Sequence, residues 1–262
     1  MGVSQARLIV LDFGDIDGNG RLSDAFPDGA WHGAVSVLDP LAERWPLDQP
    51  GHFTARVRAV AESVGGPAVP AIVGHCTNAT LALEVAAALV GAGTPVGRVV
   101  LLAPSRAGRV LIAEQAVRLC ARLGASQQTL QTVHGWLAEA ASITEPLARV
   151  FAEMDRLARD QARDLELDPE EAQVFATEIQ DRYHRWLGYL SAQLERPAMA
   201  PGCPVDVLAD DPAAVSAVTL GFAGFTVRLH HCPDPFGFTD PGVRRQLADL
   251  LAEHLPTAGV GR

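Results

Sequence analysis

Residues 71–86 read AIVGHCTNATLALEVA. Ala71 to Val73 close an apolar run that begins at Ala68, Gly74 interrupts it, and Thr77 to Val90 is again mostly apolar until Gly91 and Gly93. The short run predicts a buried strand and the longer one an apolar helix, with Cys76 on the turn between them. Outward from this junction, Arg7–Asp12 (RLIVLD) predicts a buried strand followed by a Gly/Asp-rich loop. Phe53–Val64 has helical spacing, with Phe53, Val57, Val60 and Val64 on one side, and Gly97–Ala103 (GRVVLLA) predicts a third strand. Wholly apolar strands alternating with helices are the pattern of a parallel sheet covered on both faces, an α/β architecture.

From Val110 to Arg196 no strand is evident, and Glu, Arg, Leu and Ala recur with helical periodicity, as at Ile143, Leu147, Val150, Phe151 and Met154. Asp168 followed by Pro169 predicts a helix start, with Asp168 as N-cap and Pro169 in the first turn. Beyond the break PAMAPGCP, Val205–Ala209 and Phe225–His230 return as strands, and Pro241–Leu255 predicts an amphipathic helix burying Val243, Leu247, Leu250 and Leu251. The expected organisation is a single domain over 1–262, with residues 110–196 inserted as a helical lid.

The 262 residues carry 21 basic and 31 acidic side chains, a formal net charge of −10. Every basic one is arginine. That balance excludes a nucleic-acid binder working by bulk charge, since phosphate binding needs a cationic footprint. A hydrophobic fraction of 48% and mean hydropathy of +0.12 supply ample apolar material for a core. Residues 1–15 lack the basic start and long apolar stretch of a secretory leader, and the uncharged stretch Ser63–Leu83 is broken by glycines and prolines, so no membrane span is expected. The expectation is a cytoplasmic protein whose four cysteines, Cys76, Cys120, Cys203 and Cys232, are free thiols with no C-x-x-C metal pair.

A nucleophile on a strand-to-helix turn is the arrangement of the α/β-hydrolase fold, in which the turn presents the side chain above the sheet beside the first N–H groups of the helix. The stretch resembles the thioesterase branch of that superfamily, whose turn reads G-H-S-x-G-A before an A-x-E-V-A helix; Gly74, His75, Ala79, Ala82, Glu84, Val85 and Ala86 match. The resemblance spans nearly the whole chain. RVVLLAPSRAG resembles the strand and turn before the lid in stand-alone (type II) thioesterases of polyketide and nonribosomal peptide assembly lines. VDVLADDP resembles the strand carrying their acid, and FTVRLHHCPDPFGF the strand and loop carrying their histidine. By position, the resemblance implies Cys76 as nucleophile and Asp211 as acid. It also implies an oxyanion hole formed by the loop after Leu11, including Phe13 and Gly14, with Thr77 following the nucleophile. It implies no cofactor of the chain's own; the acyl substrate arrives on the phosphopantetheine arm of an acyl or peptidyl carrier protein.

Three departures shape the chemistry. Cysteine stands where the family has serine, Asn78 where it has a second glycine, and the D-H-F-like signature reads Asp234-Pro235-Phe236, without its histidine. His231, then His230, are the nearest substitutes as base. A serine hydroxyl needs a positioned base, whereas a free thiol of pKa ~8.5 is already a few per cent thiolate at neutral pH. Acyl movement from a carrier thiol to Cys76 exchanges one thioester for another and retains the donor's reactivity. The expected activity is therefore transfer or cyclisation of a carrier-bound acyl or aminoacyl group. The alternatives are an editing thioesterase that hydrolyses such groups and a non-catalytic homologue that binds a carrier.

Other features carry less. Asp15–Leu22 imitates the start of a calcium loop, but Phe26 stands where the closing carboxylate belongs. Gly18-x-Gly20 lacks the third glycine of a dinucleotide loop. Trp136, Phe151, Phe175, Tyr183, Trp186 and Tyr189 are read as lid packing or as the lining of an acyl channel, and Arg106 and Arg109 as solvated surface or a local carrier-docking patch.

Overall fold

The apolar runs become the middle of a sheet. The computed structural model describes residues 7–13, 21–26, 34–47, 49, 51–64, 68–194, 199–211 and 226–252. In chain order they form β1 (Arg7–Leu11), a 3-10 turn (Leu22–Ala25), β2 (Ala34–Leu38), α1 (His52–Ser63), β3 (Val69–His75), α2 (Asn78–Gly91) and β4 (Val96–Leu102). Four helices follow, α3 (Arg109–Arg122), α4 (Gln127–Ala138), α5 (Thr144–Asp164) and α6 (Pro169–Ala192), then β5 (Val205–Ala209), β6 (Val227–His231) and α7 (Pro241–Ala252). The chain divides into two compact units, Met1–Pro40 with Thr54–Arg106 and Arg196–Arg262, and Leu41–Phe53 with Ala107–Glu195.

The first unit holds a six-stranded sheet in the order β2-β1-β3-β4-β5-β6, every neighbouring pair parallel. β1, β3, β4 and β5 are buried along nearly their whole length, as strands covered on both faces must be. Leu8, Val10, Val73, Val100 and Leu208 pack with Val243, Leu247, Leu250 and Leu251 of α7. β2 is an edge strand that the sequence reading did not anticipate; its burial alternates, with Val35 and Val37 exposed. β4 and β5 also bury an ion pair. Arg98 Nη1 lies 3.1 Å from Asp206 Oδ2, both side chains are fully buried, and His230 Nε2 lies 2.9 Å from Asp206 Oδ1.

The second unit is helical. Ile112, Ala116, Val133, Leu137, Leu147, Val150, Met154, Leu187 and Leu190 form its core, against which Trp136, Phe151, Tyr183 and Trp186 pack. Tyr189 is fully buried and meets Trp45 at 5.1 Å between ring centroids. These aromatics thus serve packing within the unit. Asp168 caps α6 as expected, its Oδ1 accepting from the N–H groups of Glu170 and Glu171 at 2.9 Å, while Glu171 returns a carboxylate oxygen to the Asp168 N–H. The stretch 41–53 belongs to this unit through Arg185, which donates to the Leu41 and Ala42 carbonyls, and through the Arg44–Asp181 ion pair. Arg109 is an internal staple: its guanidinium donates to the Ala140 and Ala141 carbonyls. Among the described residues no helix is long and apolar enough to cross a membrane.

Two helical glycines have opposite surroundings. A Cβ on Gly188 would lie 2.7 Å from the Trp45 carbonyl oxygen, whereas one on Gly135 would meet nothing within 4 Å. Gly188→Ala should therefore destabilise the helical unit by about 1–3 kcal/mol through overpacking. Gly135→Ala should stabilise it by about 0.5–1 kcal/mol through the entropy that glycine loses in a helix. Urea unfolding followed by tryptophan fluorescence measures both.

Candidate active site

Cys76 occupies the turn between β3 and α2 with φ of 49°, a left-handed backbone that non-glycine residues seldom adopt. The bonds around it hold that conformation. Its N–H donates to the Leu102 carbonyl at 3.0 Å, and its own carbonyl accepts from Ala79 N–H at 3.2 Å and Ser105 N–H at 3.0 Å. Gly74 allows α2 to approach: a Cβ there would stand 3.3 Å from the Ala82 Cβ and 3.4 Å from the Asn78 carbonyl oxygen. The Cys76 side chain is half-buried, and its Sγ lies 3.3 Å from Ser105 Oγ, its single side-chain hydrogen bond among the described residues. Ser105 was not singled out from the sequence, since no local motif marks it.

The first residues of α2 face the end of β1. Asn78, in place of the family's glycine, is fully buried and donates from Nδ2 to the Leu11 carbonyl at 3.1 Å, tying the nucleophile turn to the loop in which an oxyanion hole is expected. Thr77 is fully buried, and its Oγ1 has no hydrogen-bond partner among the described residues. Its N–H likewise meets no backbone acceptor among them. Phe13 is buried at the end of this loop, while Gly14 lies outside the described residues.

His75 is the hub of an aromatic cluster. Its ring meets the edges of Phe13 at 5.1 Å and Phe238 at 5.2 Å between centroids, and Asp12 Oδ1 lies 3.9 Å from Nε2. Burial pushes the imidazole down to about 4, Asp12 opposing the effect, so it is neutral at neutral pH. Asp12 is itself buried and accepts from the Ser23 N–H at 2.9 Å, closing the far side of the same loop.

Asp211 and His231, expected as acid and base, stand just after β5 and at the end of β6. Asp211 is exposed just after β5, its N–H donating to Asp210 Oδ1 at 2.8 Å. His231 ends β6, exposed, with Nδ1 3.1 Å from the Asp210 carbonyl oxygen. In the order β3-β4-β5-β6 its strand is three places from that of Cys76, about 14 Å at ordinary strand spacing. His230 is bound to Asp206. The loop after β6 does reach back toward the nucleophile strand, but it delivers Phe238 to His75, with Pro235 buried where the resemblance places a histidine.

Burial pushes Cys120 up to about 12, helped by Glu153, and Cys203 up to about 11; Cys232 is raised as well, so all three stay protonated. Asp15–Gly20 lies outside the described residues, and among those described no group of three or more His, Cys, Asp or Glu side chains is arranged to hold a metal.

The sequence matches no family model and no characterised protein. Solved structures do match. The Vlm2 thioesterase domain, bearing genetically encoded 2,3-diaminopropionic acid and a bound dodecadepsipeptide, is 16% identical over 96% of this chain and 95% of that one, with a TM-score of 0.52. The fold is that of the α/β-hydrolases. RedJ, a thioesterase from the prodiginine biosynthetic pathway of Streptomyces coelicolor, is 20% identical over 96% of this chain and 92% of its own, with a TM-score of 0.49. The bottromycin epimerase BotH is 18% identical over 95% and 92%, with a TM-score of 0.48.

The neutral His75 makes a pH-dependent contribution to stability. The unfolded chain takes up a proton near the ordinary value of 6.5, the folded chain only near 4, so acid favours unfolding across that window. Stability from this residue is complete above 6.5 and falls by about 3 kcal/mol as the pH drops to 4. His75→Phe keeps the ring packing and removes the proton site. Denaturant titrations at pH values spanning the window should show a shallower acid decline for the variant than for the wild type.

Proposed function

We propose that this protein is an acyl-transfer enzyme of the thioesterase type, acting on acyl or aminoacyl groups presented as thioesters by a carrier protein. The observation that supports it most is the left-handed Cys76 turn at the nucleophile position of an α/β-hydrolase fold. In the first half-reaction the Cys76 sulfur attacks the carrier thioester carbonyl, and the Thr77 N–H and the loop after β1 stabilise the oxyanion. The bond to the phosphopantetheine sulfur breaks, and the carrier thiol leaves with the proton that Cys76 gave up. The acyl-S-Cys76 so formed is still a thioester, open to attack by an amine, a thiol or a nucleophile within the acyl chain.

Water is the poorest acceptor at such a site. It requires a general base, and the loop that carries the family's histidine supplies proline and phenylalanine instead. Transfer or cyclisation therefore ranks above hydrolysis. The dodecadepsipeptide bound to the Vlm2 thioesterase domain supports a polyketide or nonribosomal peptide setting here. No cofactor of the chain's own is required. Arg106 is exposed after β4, and Arg109 donates to carbonyls within the helical unit.

Incubation with a panel of acyl-carrier thioesters, followed by intact-mass spectrometry, should reveal an acyl adduct that is absent in Cys76→Ala. Adduct decay should accelerate on addition of an amine or a second carrier thiol; decay in buffer alone at the full rate would identify an editing hydrolase. No adduct with any substrate, with carrier binding retained, would identify a non-catalytic homologue. Cys76→Ser should lose at least about 100-fold in turnover, because a hydroxyl without a base is a far weaker nucleophile than a thiol.

A further inference from the structure

Ser105 touches the Cys76 sulfur in a way that an incidental neighbour would not. Its N–H donates to the Cys76 carbonyl at 3.0 Å while its Oγ lies 3.3 Å from Sγ, so main chain and side chain both engage the nucleophile residue. The backbone that brings it there is unusual. After β4 ends at Leu102, Ala103 takes φ of 40° and donates to the Leu208 carbonyl at 2.8 Å, turning the chain across the mouth of the Cys76 turn. Left-handed residues thus stand at the ends of two adjacent strands, and the second delivers a hydroxyl to the first. A neutral thiol can donate to a hydroxyl oxygen or accept from it, but a negatively charged sulfur can only accept.

We propose that Ser105 is a catalytic residue whose hydroxyl donates to the Cys76 sulfur whenever that sulfur carries negative charge. This occurs twice in the reaction proposed above, on which the catalytic part of the inference rests. Before attack, the thiolate holds the Ser105 hydrogen bond, which loosens as the carbon–sulfur bond forms and the carrier thiol departs with the proton. In the second half-reaction the acceptor adds to the thioester carbonyl and the bond to Cys76 breaks. The leaving sulfur then regains the hydrogen bond and finally takes the acceptor's proton. Ser105 itself gains and loses no proton. The titratable groups on the elements packed against Cys76 are Asp12 after β1, His75 on β3, Arg98 on β4, Glu84 on α2 and Arg106 beside Ser105 itself. None of them hydrogen-bonds the sulfur among the described residues, where its side-chain partner is the Ser105 hydroxyl.

The test compares wild type, Ser105→Ala and Ser105→Thr in three measurements. With an acyl-pantetheine thioester, the rate of acyl-Cys76 formation at saturation should fall about tenfold in Ser105→Ala with KM unchanged, and recover in Ser105→Thr, which keeps the hydroxyl. Iodoacetamide labelling of Cys76 at neutral pH should slow about threefold in Ser105→Ala, the loss of thiolate being partly offset by higher nucleophilicity. The S–H stretching band of Cys76, isolated as the infrared difference from Cys76→Ala, should shift to higher frequency in Ser105→Ala. Labelling within about twofold of wild type together with an unmoved S–H band overturns the proposal, as does an acylation rate in Ser105→Thr as low as in Ser105→Ala. If no thioester acylates the protein, the proposed function fails on its own, and labelling and the S–H band still decide whether Ser105 holds the sulfur.

Discussion

Both backbone polar atoms of Cys76 are committed, the N–H to Leu102 at the end of β4 and the carbonyl to Ala79 in α2 and Ser105 beyond β4. A left-handed non-glycine residue costs about 1–3 kcal/mol and persists only where its surroundings over-determine it. Here three separate segments do so, and the site inherits its geometry from them. α2 can start directly behind the sulfur because Gly74 gives it room. The end of β1 is tied to α2 because Asn78, two residues after Cys76, donates to the Leu11 carbonyl. The family's glycine at this point lets backbones approach; asparagine replaces that freedom with a specific bond.

Among the described residues no titratable side chain hydrogen-bonds the Cys76 sulfur. His75, the imidazole nearest in sequence, is spent on packing between Phe13 and Phe238 and is neutral, and the loop that reaches back across the sheet brings a phenyl ring. A thiol tolerates this better than a hydroxyl would, since it reaches its reactive form without a partner base. On the proposed function, the cysteine and the proline at 235 are mutually consistent.

The sheet and the nucleophile turn were legible because their signals are local: apolar runs of strand length, a glycine break and an apolar helix. Each strand identified this way reappears within two residues of its expected ends. β2 escaped because an edge strand needs only one covered side, and Ala34–Leu38 is too short and too mixed to stand out. The membership of residues 41–53 in the helical unit rests on contacts such as Arg185 with Leu41 and Trp45 with Gly188, more than a hundred residues apart in sequence. Ser105 was invisible for the same reason.

Arg98 and Asp206 interrupt two otherwise apolar strands, and their pairing with His230 has a consequence for how the sheet assembles. A slip of one residue between β4 and β5 would turn one charge to the opposite face and leave the other buried alone, a state costing far more than the loss of an apolar contact. The trio works as a key that only one alignment accepts. It also links the two halves of a discontinuous unit, since β4 precedes the helical segment and β5 follows it. A chain that leaves the sheet for about a hundred residues and returns needs a marker for its landing point, and complementary buried charges provide one that valine and leucine, interchangeable along a strand, do not.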